Sequence, residues 1–362
     1  MKKILCKLII FILPFLVGIS IELFILPIDY FTFRVWEAII VKKFNNILPG
    51  PFYPNVRIQK IEEGDLAHHT KFAIKKTVVW YTDRYGYRKI DLDNEYYPIV
   101  IVGDSNIAGS GLNQEDILSE VLERKLNMKV YPFAPEGIGK LIKNERFKEK
   151  SPKIVVFGAV EREIPYLSPL KTKIYKSGSY IKEKIRSLRE NRFLENISIY
   201  LDRFYKANML NFLRASLRRI FNITKDSNPQ YIDPDFGPIF FLQGPAANQD
   251  VKDEILKKAL NTIKTYNEAL KTRGIRFIFL PIPEKENIFY KLLNTKRPVF
   301  LEKLIAELKR EGIEVIDTQK AFEQSFQKHK ILLYQTDDTH WNENGVKLAA
   351  ELLAYHITNN HR

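Results

Sequence analysis

Cysteine is nearly missing. Cys6 is the single one in 362 residues, so the chain cannot build a disulfide framework, a cysteine zinc site or a redox pair. Stability has to come from packing, and a 45% hydrophobic, 12% aromatic composition is enough for a buried core. Internal repeats and low-complexity stretches are also lacking, which sets aside solenoid and disordered-array readings. The length suits one large α/β domain with attachments, or two modest domains.

A cleavage signal is lacking too. The chain opens MKKILCK, then LIIFILPFLVGIS and IELFILPI, and from Leu8 to Ile28 the single charge is Glu22. That run is close to the ~20 residues a membrane span needs. Lys2, Lys3 and Lys7 precede it, which favours a cytoplasmic N-terminus and an exported remainder. No small-x-small site follows the apolar core, so an uncleaved anchor is expected over residues 1–28, although Pro14 and Glu22 weaken the span. Cys6 lies before the core and is not placed like a lipoprotein cysteine.

The charge is far from neutral, at +14. Between Lys171 and Arg219 there are thirteen Lys/Arg against four Asp/Glu. Leu210, Leu213, Leu217 and Ile220 recur there at helical spacing, the pattern of a basic amphipathic helix. One reading is a solvated helical face. Another is contact with anionic lipid headgroups through 171–220, and an anionic polysaccharide fits as well. Nucleic acid is not expected as a partner, because no recognition motif accompanies the charge.

Residues 29–95 read as a linker helix (FRVWEAIIVKKFNN) and a small β-rich region, with turns at Gly64-Asp65 and Arg84-Tyr85-Gly86. His68 and His69 lie there without acidic or cysteine partners at ligand spacing, so no metal site is expected. From Tyr97 the pattern alternates. YPIVIVGDS, MKVYPFA, PKIVVFGAV, IRFIFLPIP and IEVID read as buried strands, and PIFFL as an extra one. EDILSEVLERKL, DEILKKALNTIKTYNEALKTRG, VFLEKLIAELKREG and NENGVKLAAELLAYHI read as helices. Such alternation implies a parallel sheet covered on both faces. The α/β domain is placed at 96–357, with a helical basic insert at about 166–235.

In such sheets ligands bind beyond the carboxyl ends of the strands. Asp104-Ser105 follows the strand ending at Val102, so Ser105 is either a nucleophile on a tight turn or an ordinary helix cap. A serine hydroxyl needs a base, and the base needs an orienting carboxylate. TDDTHWNENG supplies both after the last strand, at the same rim: His340 with Asp337 and Asp338.

These two segments carry a resemblance. IVGDSNIAGSGL resembles the first block of the SGNH (GDSL-type) hydrolases, and DDTHWN their last. LPIPEKENIFY, GIEVIDTQKAF and DTHWNENGVKLAAELL are similar to the alginate-type polysaccharide O-acetyltransferases. The match covers about 97–165 and 275–357. It implies a three-layer α/β/α sandwich and esterase or O-acyltransferase chemistry without a cofactor. It implies further that Ser105 is the nucleophile and His340 the base, oriented by Asp337 in the general family spacing or by Asp338 in the Asp-Thr-His-Trp spacing. The spare aspartate would cap the closing helix, and Trp341 would pack or shield the imidazole.

Departures from the pattern are visible. In the alginate enzymes the Asp-Thr-His-Trp segment precedes the serine, whereas here it follows. The third block lacks its asparagine and reads Glu161-Arg162-Glu163. Arg162 therefore either replaces the missing oxyanion donor or pairs with Glu161, Glu163 or Asp104. Gly137, with Gly139 as the alternative, stands for the second-block glycine. Asp104 and Lys285 are counted on the substrate side, a solvated lysine being the plain reading of the latter. The expected protein is a single-pass enzyme of the cell membrane with its catalytic domain outside the cytoplasm, acting on acyl groups of a surface glycan. The alternatives are a silent polysaccharide-binding or assembly protein and a lipid esterase.

Overall fold

The computed structural model describes residues 2–43, 47–90, 96–170, 192–207, 209–221, 223–242 and 252–359. Short β-branched runs bounded by proline or glycine set the frame. Arg57–Glu62 (β1) and Lys76–Tyr81 (β2) pair antiparallel as a hairpin. The central sheet is built from β3 (Ile99–Val102), β4 (Val130–Phe133), β5 (Ile154–Val160), β8 (Arg276–Ile282) and β9 (Glu314–Val315). Their order is β4-β3-β5-β8-β9, parallel throughout. β6 (Tyr231–Asp233) and β7 (Gly237–Ile239) form a separate small hairpin.

Alternate side chains of each strand serve opposite faces, and here both faces are buried. Ile99, Ile101, Val156, Ile278 and Leu280 pack with the helices Leu118–Leu126 and Glu343–Asn359. Val100, Val102, Val155, Phe157, Phe277 and Phe279 pack with the helices Asp253–Lys271 and Phe300–Arg310. Each such side chain contributes roughly 1.5–3 kcal/mol, which is why a chain without disulfides can hold three layers. The result is a three-layer α/β/α arrangement around a parallel sheet.

The chain runs from β3 outward to β4 and then back across to β5, so the strand order switches direction between β3 and β5. In open α/β sheets the crevice at the carboxyl ends beside such a switch is the favoured ligand position.

The helix Lys2–Phe24 contains Pro14, and its Cys6–Phe24 part is long and apolar enough to cross a membrane, as a span or a signal sequence would be. After it, among the described residues of the stretch from 29 to 50, helix is found over Val35–Ile39 and not over the longer run expected. The chain leaves the helix because Ile40 bridges Phe52 and Val41 N–H donates to Pro51 O. Trp80, Phe52 and Val78 join the same core as β3, so the β-rich region is packed onto the sheet domain. Of the basic insert, the helices Arg192–Lys206 and Met209–Ile220 are seen; the part at 171–191 lies outside the described residues.

Two other elements differ from the sequence reading. PIFFL does not enter the central sheet, because Phe240 N–H donates to Thr336 O and Phe241 N–H to Gln230. A helix at Thr318–His329 was not foreseen: its apolar contribution to the core rests mainly on Phe322 and Phe326, too sparse a stripe to read.

Candidate active site

Ser105 opens the short helix Ser105–Ala108 directly after β3. Asp104 caps that helix, its Oδ1 accepting from Asn106 N–H at 2.8 Å, while its Oδ2 accepts from Val160 N–H at 2.8 Å. Both oxygens thus tie the start of this helix to the end of β5. Asp104 is therefore a structural staple rather than the substrate-side group expected, since a carboxylate also opposes a developing oxyanion. Gly103 is required for packing: a Cβ there would stand 2.4 Å from Gly158 O.

His340 comes from the loop between the Thr318–His329 helix and the closing helix. Its Nε2 lies 2.8 Å from Ser105 Oγ, and its Nδ1 lies 2.5 Å from Asp338 Oδ1. In the tautomer this geometry selects, Nδ1–H donates to the carboxylate and Nε2 accepts from the hydroxyl. Burial raises the Asp338 carboxyl, but the charge and hydrogen bond of His340, with Arg34 and Lys76 beyond, outweigh it and hold the group well below the usual carboxylate range.

Asp337, the other candidate orienter, does not reach the imidazole. Its Oδ2 accepts from Gly64 N–H at 3.0 Å and Ile74 N–H at 2.9 Å, and its carbonyl accepts from Leu66 and Ala67. It pins the 64–74 loop instead. Gly64 has to be glycine, because a Cβ would stand 2.2 Å from Asp337 O. Nor does the spare aspartate cap the closing helix: Asn342 Oδ1 does, accepting from Asn344 and Gly345. Trp341 is fully buried, with Nε1–H donating to Asn106 O at 3.3 Å.

Two residues of the site were missed in the sequence. Asp65 Oδ1 accepts from Thr339 N–H at 2.8 Å and its Oδ2 from the Thr339 hydroxyl at 2.7 Å, while Asp65 N–H donates to Asp338 Oδ2 at 3.0 Å. Asp65 Oδ2 is 3.8 Å from His340 Nδ1. Burial and then the Asp338 charge raise its carboxyl above the ordinary value. Arg34 Nη1 stands 3.6 Å from Asp65 and 4.0 Å from Asp338. The signal available in sequence was a Gly-Asp pair, which reads as a turn, and one arginine in a linker.

Asp65, Asp338 and His340 place one ligand atom each within 4.8 Å of one another, the one such group among the described residues. Hydrogen bonds engage these atoms: Asp338 Oδ1 and Oδ2 receive His340 and the Asp65 N–H, and both Asp65 oxygens receive Thr339. The donor set suits proton handling better than ion coordination. His68 is stacked on Phe33 at 4.1 Å and His69 lies 3.8 Å from Glu63; both serve packing.

Lys285 overturns the solvated reading. It is buried, and Nζ lies within 2.6–3.0 Å of four carbonyls, those of Phe240, Gln335, Thr336 and Asp338. Burial lowers its ammonium to about 8. An ammonium has three N–H groups, so the four acceptors share them, and the loop bearing Asp338 and His340 is gathered around one cation. Lys285 does not face substrate.

Arg162 pairs with none of the acids expected. Nη1 makes a forked contact with Glu284, at 2.8 and 2.9 Å. Burial lowers this guanidinium, but Glu284 first, then Asp104 and Glu163, raise it. Glu161, just before it, is buried with its Oε2 accepting from Glu284 N–H at 3.0 Å, and burial raises its carboxyl to about 7. Gly137 is exposed and precedes the short helix Ile138–Lys143, which contains Gly139. Among the described residues, the N–H groups of Ser105 and Gly137 have no acceptor.

Residues 240–362 match a family model described as an SGNH hydrolase-like domain, acetyltransferase AlgX. That span includes Asp338 and His340 but not Ser105. Among solved structures, the chain is similar to a lipolytic protein of the G-D-S-L family from Desulfitobacterium hafniense DCB-2, at 14% identity over 71% of this chain and 97% of that one, with a TM-score of 0.36. A member of the lipolytic protein G-D-S-L family from Veillonella parvula DSM 2008 is similar at 13% identity over 72% and 98%, with a TM-score of 0.37. No curated protein matches. The match over 240–362 agrees with the AlgX-type similarity expected for the C-terminal part of the chain.

Proposed function

Taking an SGNH-type fold with an AlgX-like C-terminal third as premise, we propose that this chain is a serine acyl-transfer enzyme. In this reading it is anchored by its N-terminal helix, acts outside the cytoplasm, and moves an acetyl or related acyl group on a surface glycan. The observation that carries the reading is the continuous relay Ser105 Oγ–His340 Nε2, 2.8 Å, and His340 Nδ1–Asp338 Oδ1, 2.5 Å, at the β3/β5 crevice.

His340 takes the hydroxyl proton as Ser105 Oγ bonds to the acyl carbon. The tetrahedral oxyanion is met by the N–H groups of Ser105 and Gly137, the kind of preorganised donors that dominate acyl transfer. Collapse expels the donor's oxygen, which receives the proton from His340 and leaves an acyl-Ser105 ester. A glycan hydroxyl, or water, then gives its proton to His340, attacks that ester and regenerates the serine. Asp338 holds the imidazole tautomer and balances its charge. Arg162, tied by one nitrogen to Glu284, keeps its remaining N–H groups as candidate further donors to the oxyanion.

The test is release of acetate from an acetyl ester by the full chain, with and without an O-acetylatable glycan. Ser105→Ala is expected to lower turnover by at least about 10³-fold with an unchanged unfolding midpoint; wild-type turnover in that variant sinks the proposal. Acceptor-dependent acetate loss from the donor marks a transferase, and acceptor-independent loss an esterase. One observation favours a second reading, a silent glycan-binding domain: the third-block position is Glu161-Arg162, and the arginine is engaged by Glu284. Failure of a serine-reactive phosphonate to label Ser105 supports that alternative.

A further inference from the structure

The apolar N-terminal helix ends against the basic insert. Phe24 stacks on Tyr200 with ring centroids 6.3 Å apart, and Arg203 Nη2 donates to Glu22 O at 3.3 Å. Around this junction apolar side chains stay outside: Phe24, Ile25, Tyr205, Leu213, Leu217 and Ile220 are all exposed. Continuous with the end of a membrane-length helix, such a rim matches the boundary between lipid chains and headgroups.

Behind the rim lies a cavity of about 470 Å³. Six cations line it, Lys42, Arg203, Lys206, Arg214, Arg218 and Lys225, against two carboxylates, Glu22 and Glu37. Part of this charge is answered. Glu37 lies 3.7 Å from Arg34, and Lys206 lies 3.1 Å from Asp202, a buried carboxylate that also receives Lys42 N–H, Lys43 N–H and Tyr53 OH. Arg203, Arg214 and Arg218 reach no carboxylate within ion-pair distance among the described residues. Their crowding is felt at Lys225, whose ammonium is lowered by burial and then by Arg218 and Arg214.

Guanidinium groups that line one cavity with no carboxylate in ion-pair distance among the described residues are a receptor for a phosphate ester, whose oxygens accept their paired N–H groups. We propose that this cavity binds the phosphate-bearing headgroup of an anionic membrane lipid, with the acyl chains lying along the exposed apolar rim. A lipid fits better than free phosphate because the cations and the apolar surface share one end of the anchor helix. The inference is independent of any chemistry at Ser105.

The test is native mass spectrometry of the full chain in a neutral detergent, titrated with phosphatidylglycerol or phosphatidylcholine. The expected result is retention of phosphatidylglycerol in preference to phosphatidylcholine. An Arg214→Gln, Arg218→Gln double variant with an unchanged unfolding midpoint is expected to bind phosphatidylglycerol roughly thirtyfold more weakly. Equal retention of both lipids, or full phosphatidylglycerol affinity in the double variant, overturns the proposal. Inorganic phosphate is the third arm: competition at the same concentration as a short-chain phosphatidylglycerol overturns the lipid assignment, and competition by the short-chain lipid alone upholds it.

Discussion

Lys285 and Arg218 are both cations carried on helices, yet they sit in opposite kinds of place. The first is enclosed, and four carbonyls, one just after β7 and three from the site loop, converge on it. The second faces a cavity shared with other cations and two carboxylates. A cation whose surroundings satisfy it holds structure together; a cluster left short of acceptors is prepared for something arriving from outside. The rim carrying His340 is of the first kind, and the junction with the N-terminal helix is of the second.

The sharpest way to break the enclosed rim is through its two adjacent aspartates. Asp338→Asn should cut turnover by about 10⁴-fold, because the amide selects the wrong imidazole tautomer. Asp337→Asn should change turnover by less than about tenfold while lowering the unfolding midpoint, since its carboxylate holds Gly64 and Ile74 rather than the imidazole. Steady-state rates and melting curves of the pair decide this; an equal fall in turnover from both contradicts the assignment.

Lys285→Met is next. It removes the shared donor of four buried carbonyls, and a loss of about 3 kcal/mol is expected in denaturant unfolding. A stability equal to wild type would place the loop's anchorage elsewhere.

Glu161 gives a comparable but pH-dependent effect. Its folded carboxyl titrates at about 7, above the ordinary 4.5, so the folded state binds the proton more tightly. The associated stability, about 3 kcal/mol, is fully present below the ordinary value and is lost as pH rises through about 7. Melting midpoints should fall across that window, and Glu161→Gln should flatten the slope. An unchanged slope in the variant would trace the effect to another group.

The smallest effect is expected at Asp65. Asp65→Asn leaves Asp338 in place but loses one of two acceptors for Thr339, so a fall in kcat of about tenfold with little change in KM is expected. A KM-only effect would assign Asp65 to substrate contact.

Much of this was legible in the chain. Glycine, aspartate and serine after an apolar strand, and aspartate and histidine after the last strand, give away their chemistry because residue type and strand-end position suffice to read it. The parallel sheet was legible for a similar reason: buried strands alternate with amphipathic helices. Arg162 and Lys285 were visible as residues but misread in role, because Glu284 and a set of backbone carbonyls are partners that only three dimensions supply. Asp65 was invisible. Its contact with Thr339 spans 274 positions, and a turn aspartate looks like any other.

The succession of strands and helices along the chain, the apolar N-terminal helix and the identity of the serine–histidine pair were thus determined by sequence, since hydrophobic period and local motif operate over a few residues. Which aspartate faces the imidazole, what Lys285 grips and where the insert's arginines gather were decided by tertiary structure alone. Those outcomes depend on distances between segments far apart in the chain, set by how the helices and loops pack.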